Sequence, residues 1–366
     1  MEDEMDIHGH PLYKEDVERI ANLSLPWEKI KGSSILVSGA TGLLGAFLID
    51  VLIWRNINKD QNCNIYALGR NLVKAKKRFD YCKTASFFHF ISHDINQPLD
   101  NKIDCHIDYV LHLASNTHPV AYATDPIGTI TTNIIGLKNM LDFSVTHQTK
   151  RFAFASSNEI YGENRGDQEL FDEHYCGYID CNTLRAGYPE SKRCGEALCQ
   201  AYMRQKGLNV VIPRFTRSYG PTVLKNDTKA ISQFIKKAVA GENIVLKSEG
   251  NQYYSYTYMA DAIYGLLTIL FLGEKGKAYN IADVSSDIRL KDLAETLAEL
   301  SGTHVVFELP DVVESTGYSK ATINSGCVRN RGYEIQLDVT PVVSRDFRWN
   351  ATFTWSKNEK GRMRTS

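Results

Sequence analysis

The sequence has no Cys-x-x-Cys pair, although it holds eight cysteines, at 63, 82, 105, 176, 181, 194, 199 and 327. Scattered thiols argue against a zinc knuckle or a disulfide framework, and no metal site is expected. Reduced cysteines in a cytoplasmic protein are the expectation. An excess of one charge is also missing. The formal net charge is −1, from 42 basic and 43 acidic residues, so nucleic acid held by bulk charge is not expected. No run is long enough for a membrane helix, so no membrane partner is expected. The N-terminus, Met1-Glu2-Asp3-Glu4, is acidic and without an apolar run, so no signal peptide is expected. What is present is 43% hydrophobic and 23% charged residues over 366 positions, enough for a substantial core and two domains.

Residues 1–32 read as an appendage. Val17, Ile20 and Leu23 have helical spacing, and Pro26-Trp27 closes the segment. The apolar run Ser34 to Ser38 follows and suits a buried parallel strand. Next come Gly39-Ala40-Thr41-Gly42-Leu43-Leu44-Gly45 and an apolar helix from Ala46 to Trp54. Strand, glycine turn and helix in that order form a dinucleotide-binding context, because the turn lets the backbone approach a pyrophosphate and the helix N-terminus offers free N–H groups. The second strand, Asn64 to Leu68, ends in Gly69-Arg70 with no acidic residue for a ribose. Arg70 could meet a 2′-phosphate or lie on the surface, so NAD and NADP both stay open. Further strands are expected at 87–92, 108–115, 151–157 and 211–215, with a helix from Ile130 to Phe143 carrying Asn133. Asp94 follows the third strand, and Ala114 and Ser115 end the fourth, where ligands bind in open α/β sheets. His112 and His118 flank this region; His112 reads as a core residue.

Tyr188 and Lys192 lie four apart, which on a helix stacks them on one face. A lysine ammonium favours phenolate, making Tyr188 a candidate proton acceptor. Alone, Tyr-x-x-x-Lys is a weak signal. Ser157, at the end of the fifth strand, could hydrogen-bond the hydroxyl that Tyr188 would deprotonate.

Taken together, Gly39-x-x-Gly42-x-x-Gly45, Ser157, Tyr188-x-x-x-Lys192 and Arg214-Phe215-Thr216-Arg217-Ser218-Tyr219-Gly220-Pro221 resemble the extended short-chain dehydrogenase/reductase family. More narrowly they resemble its nucleotide-sugar epimerases, dehydratases and decarboxylases, from about Ile30 to about Tyr318. The resemblance implies an α/β fold: a doubly wound Rossmann sheet over 33–212 and a smaller α/β substrate lobe over 213–323, with some Rossmann segments interleaved. Helices at 230–240, 262–271 and 290–301 and short strands at 243–246, 277–281 and 305–308 are expected in that lobe. The resemblance also implies a retained NAD or NADP held by Gly39, Thr41, Gly42, Leu43, Leu44, Gly45, Arg70, Asp94, Ile95, Leu113, Ala114, Ser115, Asn133, Tyr188, Lys192 and Pro213. For the substrate it implies Asn158, Arg185, Arg217, Asp227 and Tyr254. A homodimer is a family expectation.

The triplet Ser157-Asn158-Glu159 bears on the reaction. Dehydratases of the family carry Thr-Asp-Glu, and the amide of Asn158 cannot donate the proton their aspartate gives. UDP-glucuronate decarboxylases match at Glu159. The implied chemistry is oxidation to a 4-keto sugar by Tyr188, Lys192 and Ser157, with Glu159 as second acid/base; decarboxylation leads, and 4-epimerisation or 4,6-dehydration is the alternative. A catalytically inactive dinucleotide-binding protein is a rival of another class. Two further departures concern the substrate: Arg217 stands where the family has asparagine, and Tyr254 stands where Gly-x-Gln-x-Arg has arginine.

From about Asn324 the pattern changes. Tyr333, Ile335, Leu337 and Val339 alternate with polar residues, as do Phe347, Trp349, Ala351, Phe353 and Trp355, so a β-hairpin turning at 341–346 is expected. The stretch Asn324 to Ile335 is similar to the barrel of SusC-type TonB-dependent outer-membrane receptors. Residues 324–366 therefore read as a fused barrel fragment, too short to close a barrel of even about eight strands. An edge hairpin of the substrate lobe is the alternative.

Overall fold

In the first strand, β1 (Ser34–Ser38), successive side chains enter two different cores. Ile35 and Val37 join one, and Leu36 joins the other. A strand buried on both faces needs apolar residues at every position, which is what Ile-Leu-Val supplies. The computed structural model describes residues 7–99, 102–117, 119–164, 166–223, 227–309, 329–343 and 348–361. His118, residues 324–328, the expected turn residues 344–346 and the expected strand residue Phe347 lie outside them.

Around β1 the large sheet adds β2 (Asn64–Gly69), β3 (Phe88–Ser92), β4 (Tyr109–His112), β5 (Arg151–Phe154), β6 (Ser156–Ser157), β7 (Val210–Phe215) and β11 (Ala278–Ile281). Its order is β3-β2-β1-β4-β5-β7-β11, with β6 beside β7 and every ladder parallel. This is the expected doubly wound Rossmann sheet. The order reverses between β1 and β4, so the crevice opens at their carboxyl ends.

The helices are α1 (Pro11–Ala21), α2 (Leu43–Asn58), α3 (Leu72–Arg78), α4 (Pro119–Thr124), α5 (Pro126–Thr131), α6 (Leu137–Thr146), α7 (Gly187–Lys206), α8 (Ala230–Val239), α9 (Met259–Leu272) and α10 (Leu290–Ser301). One core holds buried residues of α1, α2 and α9. The other holds Leu137, Met140 and Leu141 of α6 and Cys199 of α7. The helix expected over 130–143 is α5 and α6 joined by a π-helical segment, Thr132–Gly136.

The N-terminal segment is built into the large unit. Tyr13 and Asp50 are hydrogen-bonded, Asp50 pairs with Arg78, and Tyr81 donates to Asp50 Oδ1 at 2.6 Å. Lys29 Nζ donates to Phe271 O at 2.6 Å and Arg151 Nη1 to Leu270 O at 2.9 Å, so two cations meet the carboxyl end of α9.

Smaller sheets complete this unit. β8 (Arg217–Tyr219), β10 (Tyr253–Tyr258) and β12 (Asp287–Arg289) form a mixed three-stranded sheet, and β9 (Ile244–Leu246) pairs parallel with β13 (Val305–Phe307). Two elements expected in the substrate lobe lie elsewhere. β11 joins the large sheet beside β7, and α9 lies in the large core, because its apolar residues run all round the helix.

The chain divides into two compact units, 1–309 and 310–366. In the second, β14 (Arg329–Val343) and β15 (Arg348–Gly361) form the expected antiparallel hairpin. Ile335 registers with Trp355, Leu337 with Phe353 and Val339 with Ala351.

Candidate active site

The turn after β1 takes its shape from two glycines. Gly39 has φ +72°, and a Cβ there would lie 2.8 Å from the Ala114 nitrogen. A Cβ on Gly45 would lie 2.4 Å from Gly39 O. Both close approaches hold the N-terminus of α2 against the carboxyl ends of β1 and β4. Gly42 is the N-cap of α2 and offers no side-chain cap, which leaves the first N–H groups of α2 free of one. Thr41, Leu43 and Leu44 lie in this turn and the first helical turn, and Leu43 O accepts from Thr222 Oγ1 at 2.7 Å. Such a cradle fits a dinucleotide pyrophosphate.

Other expected cofactor residues divide into two groups. Arg70 is exposed at the end of β2, and Leu113 and Ala114 lie half-buried at the crevice. The rest are engaged by the protein. Asp94 Oδ1 accepts from Asn96 N at 3.0 Å, and Ile95 is buried with its carbonyl taken by Asn139 at 2.8 Å. Pro213 is buried within β7, level with the break between β5 and β6, where a missing N–H costs the ladder nothing. Asn133 was expected to touch cofactor. Instead its Oδ1 accepts from Ser115 Oγ at 2.7 Å and its Nδ2 donates to Ser191 Oγ at 2.9 Å.

The reacting groups converge from separate elements. Tyr188 and Lys192 sit on α7, buried, as their spacing predicts. The hydroxyls of Ser157 and Ser115 lie beside the Tyr188 hydroxyl, near enough to pull its phenol down. Ser115, expected beside cofactor, lies near the Tyr188 hydroxyl as well. Ser157 Oγ also accepts from Glu159 N at 3.2 Å. Burial, with the Glu159 carboxylate, pushes the Tyr188 phenol up, and the two serine hydroxyls offset this only in part. Lys192 Nζ lies 5.8 Å from the centre of the Tyr188 ring. Lys192 Nζ donates to Ala155 O at 2.8 Å, and burial pulls its ammonium down to about 7.

His112 is buried under this site. Its Nδ1 is 2.7 Å from Ser38 Oγ, but Nε2 has no partner, so the core residue is only half satisfied. Burial, then Lys192, pulls its imidazole down to about 3.

Tyr122 of α4 was not foreseen. Its ring stacks on Tyr188, with centroids 4.9 Å apart and planes 20° apart. Burial first, then Tyr188 and Glu159, pushes its phenol up, while Arg185 and Arg217 pull it down. Those five side chains therefore share one electrostatic neighbourhood. Arg185 is exposed and Asn158 half-buried beside Glu159. Arg217 lies with its guanidinium carbon 3.7 Å over the Tyr254 ring.

Asp227, expected at the substrate, stands just before α8. It is buried, its Oδ1 accepts from Lys229 N at 2.8 Å, and its carbonyl accepts from Lys236 Nζ at 3.0 Å. It holds the turn into α8. Lys229 faces the site: its ammonium is pulled down by burial first and by Arg217, and pulled up by Asp227 and Glu159.

The chain is 29% identical over 317 residues to UDP-glucuronic acid decarboxylase 6 of Arabidopsis thaliana, covering 86% of this chain and 88% of that one. It is 30% identical over 282 residues to UDP-glucuronic acid decarboxylase 5 of the same plant, covering 77% and 78%. Among solved structures it is similar to an epimerase from Methanothermobacter thermautotrophicus, with TM-score 0.67, 20% identity and coverage of 82% and 84%. A UDP-glucuronic acid 4-epimerase from Bacillus cereus, seen with UDP-glucuronic acid and NAD, gives TM-score 0.63, 23% identity and coverage of 75% and 85%. Residues 35–282 match the model of the NAD dependent epimerase/dehydratase family. The chain belongs to the NAD dependent epimerase/dehydratase family.

Proposed function

We propose that this chain converts a nucleotide sugar through a 4-keto intermediate, as a UDP-glucuronate decarboxylase does. The observation that carries the reading is the buried Tyr188 hydroxyl on α7, with the hydroxyls of Ser157 and Ser115 and the Glu159 carboxylate beside it. The similarity to UDP-glucuronic acid decarboxylases supports the choice of reaction.

Gly39, Gly42 and Gly45 with the N-terminus of α2 would hold the dinucleotide, taken as NAD, with NADP left possible by Arg70. A dinucleotide bound there supplies the hydride acceptor for C4 and returns the hydride at the end. Tyr188 takes the proton of the sugar 4-hydroxyl while Ser157 orients that hydroxyl. The resulting ketone lies β to the carboxylate at C5, so the C5–carboxylate bond breaks and CO2 leaves its electron pair in an enolate. Glu159 serves as the group that holds or delivers the proton needed at C5. Asn158 lacks a titrating proton, which disfavours a 4,6-dehydration.

Chromatographic separation with mass spectrometry of products from UDP-glucuronate, UDP-glucose and dTDP-glucose tests this, since a 4-epimer keeps the mass of its substrate. The expected result is loss of CO2 from UDP-glucuronate alone. A 4-epimer, a dehydrated sugar, or bound dinucleotide without turnover would each replace the proposal. Tyr188→Phe should cut turnover by at least about a hundredfold with nucleotide-sugar binding retained.

A further inference from the structure

We infer that Arg217 and Tyr254 act as one unit that binds an oxyanion of the sugar nucleotide, the sugar carboxylate or a phosphate next to it. This rests on the nucleotide-sugar reading above. β8 and β10 are parallel neighbours, and Arg217 registers with Tyr256. Tyr254, two residues earlier, shares that face of the sheet. Its ring receives the guanidinium at 3.7 Å.

A guanidinium stacked this way has its flat face occupied and its five N–H donors directed outward in the plane. Among the described residues, Arg217 has no hydrogen bond or ion pair to a protein acceptor. Arg214, three residues upstream, shows the contrast. Its Nε and Nη2 reach Glu196 at 2.9 and 2.7 Å, and its Nη1 reaches Tyr161 and Glu173 O. One arginine is consumed by the fold, and the other is oriented with its donors unspent.

The surroundings favour an anion. Lys229 senses Arg217 as a second cation and is already matched to Asp227 at 3.9 Å. Tyr122 senses Arg217, Arg185 and Tyr188 together, which keeps the guanidinium within electrostatic reach of the reacting centre. The two departures from the family pattern are then one exchange. The guanidinium expected on β10 is supplied from β8, and the β10 position becomes its platform.

Calorimetric binding to the full chain tests this with uridine, UDP, UDP-glucose, dTDP-glucose and UDP-glucuronate, and thermal melts confirm that each variant folds. Arg217→Gln should weaken at least one diphosphate ligand by about tenfold or more while leaving uridine unchanged. Loss confined to UDP-glucuronate assigns the carboxylate; equal loss for UDP and both UDP-sugars assigns the phosphates. Tyr254→Leu, which removes the ring under the guanidinium, should bind about threefold more weakly. Arg217→Lys, which keeps charge but not the flat face, should fall between parent and Arg217→Gln. Unchanged affinities in folded Arg217→Gln would overturn the inference. A parent chain that binds no UDP- or dTDP-sugar would instead overturn the nucleotide-sugar reading, and the inference with it.

Discussion

At the scale of single residues, Lys192 carries a cost that can be measured. Its ammonium is buried and its folded-state pKa lies near 7, below the 10.5 of a free lysine. Below pH 7 it is charged in both folded and unfolded chains, so the burial penalty is fully present. Between pH 7 and 10.5 the folded chain sheds the proton first, and stability rises with pH. Relative to Lys192→Met, the dinucleotide-free parent should therefore gain about 1–3 kcal/mol between pH 7 and pH 9. Urea midpoints at the two pH values check this, and a pH-independent difference would refute it. Lys192, Tyr188 and Ser157 were legible because spacing and strand ends carry information. Tyr122 and Lys229 were not. An aromatic on a six-residue helix and a lysine in a loop have no periodic signature, and only the fold brings them to Glu159.

At the scale of elements, the β1–turn–α2 unit is the most legible part, since apolar strand, glycine spacing and apolar helix all appear in one stretch. Its tightest point is Gly45. Gly45→Ala should lose dinucleotide binding and destabilise the chain by about 1–3 kcal/mol, because the added methyl meets the Gly39 carbonyl. Dinucleotide titration and urea unfolding read the two effects. The N-terminal helix was legible as an apolar stripe, but its anchorage was not. Nothing in the run Lys74 to Arg78 marks its last arginine as the one that turns inward to Asp50. Asp50→Ala leaves Arg78 with its charge unpaired and removes the acceptor of Tyr13 and Tyr81. A loss of about 3–5 kcal/mol is expected by urea unfolding, and a loss below about 1 kcal/mol would contradict the pairing.

At the scale of the whole molecule, the large sheet was legible as a series of apolar strands, yet its edge was not. β11 reads from sequence like any short strand, and only pairing with β7 places it in the large sheet. The division into units at Leu309 precedes the change of pattern near Asn324. A chain ending at Leu309 should melt within about 2 °C of the full chain, since the first unit carries its own cores and sheets. A drop well beyond that would mean the second unit supports the first.

The π-helical segment between α5 and α6 has a consequence for engineering. A π turn carries one residue more than the α period, so it shifts the phase of everything after it. Asn133 sits inside that shift, tied to Ser115 on one side and Ser191 on the other. Deleting a single residue there would let α5 and α6 run on as one α-helix with their faces kept, at the expense of the wide turn that places Asn133 between Ser115 and Ser191. The surplus residue thus behaves as a spacer set for function, and shortening the helix would tidy its backbone while detuning the tyrosine it serves.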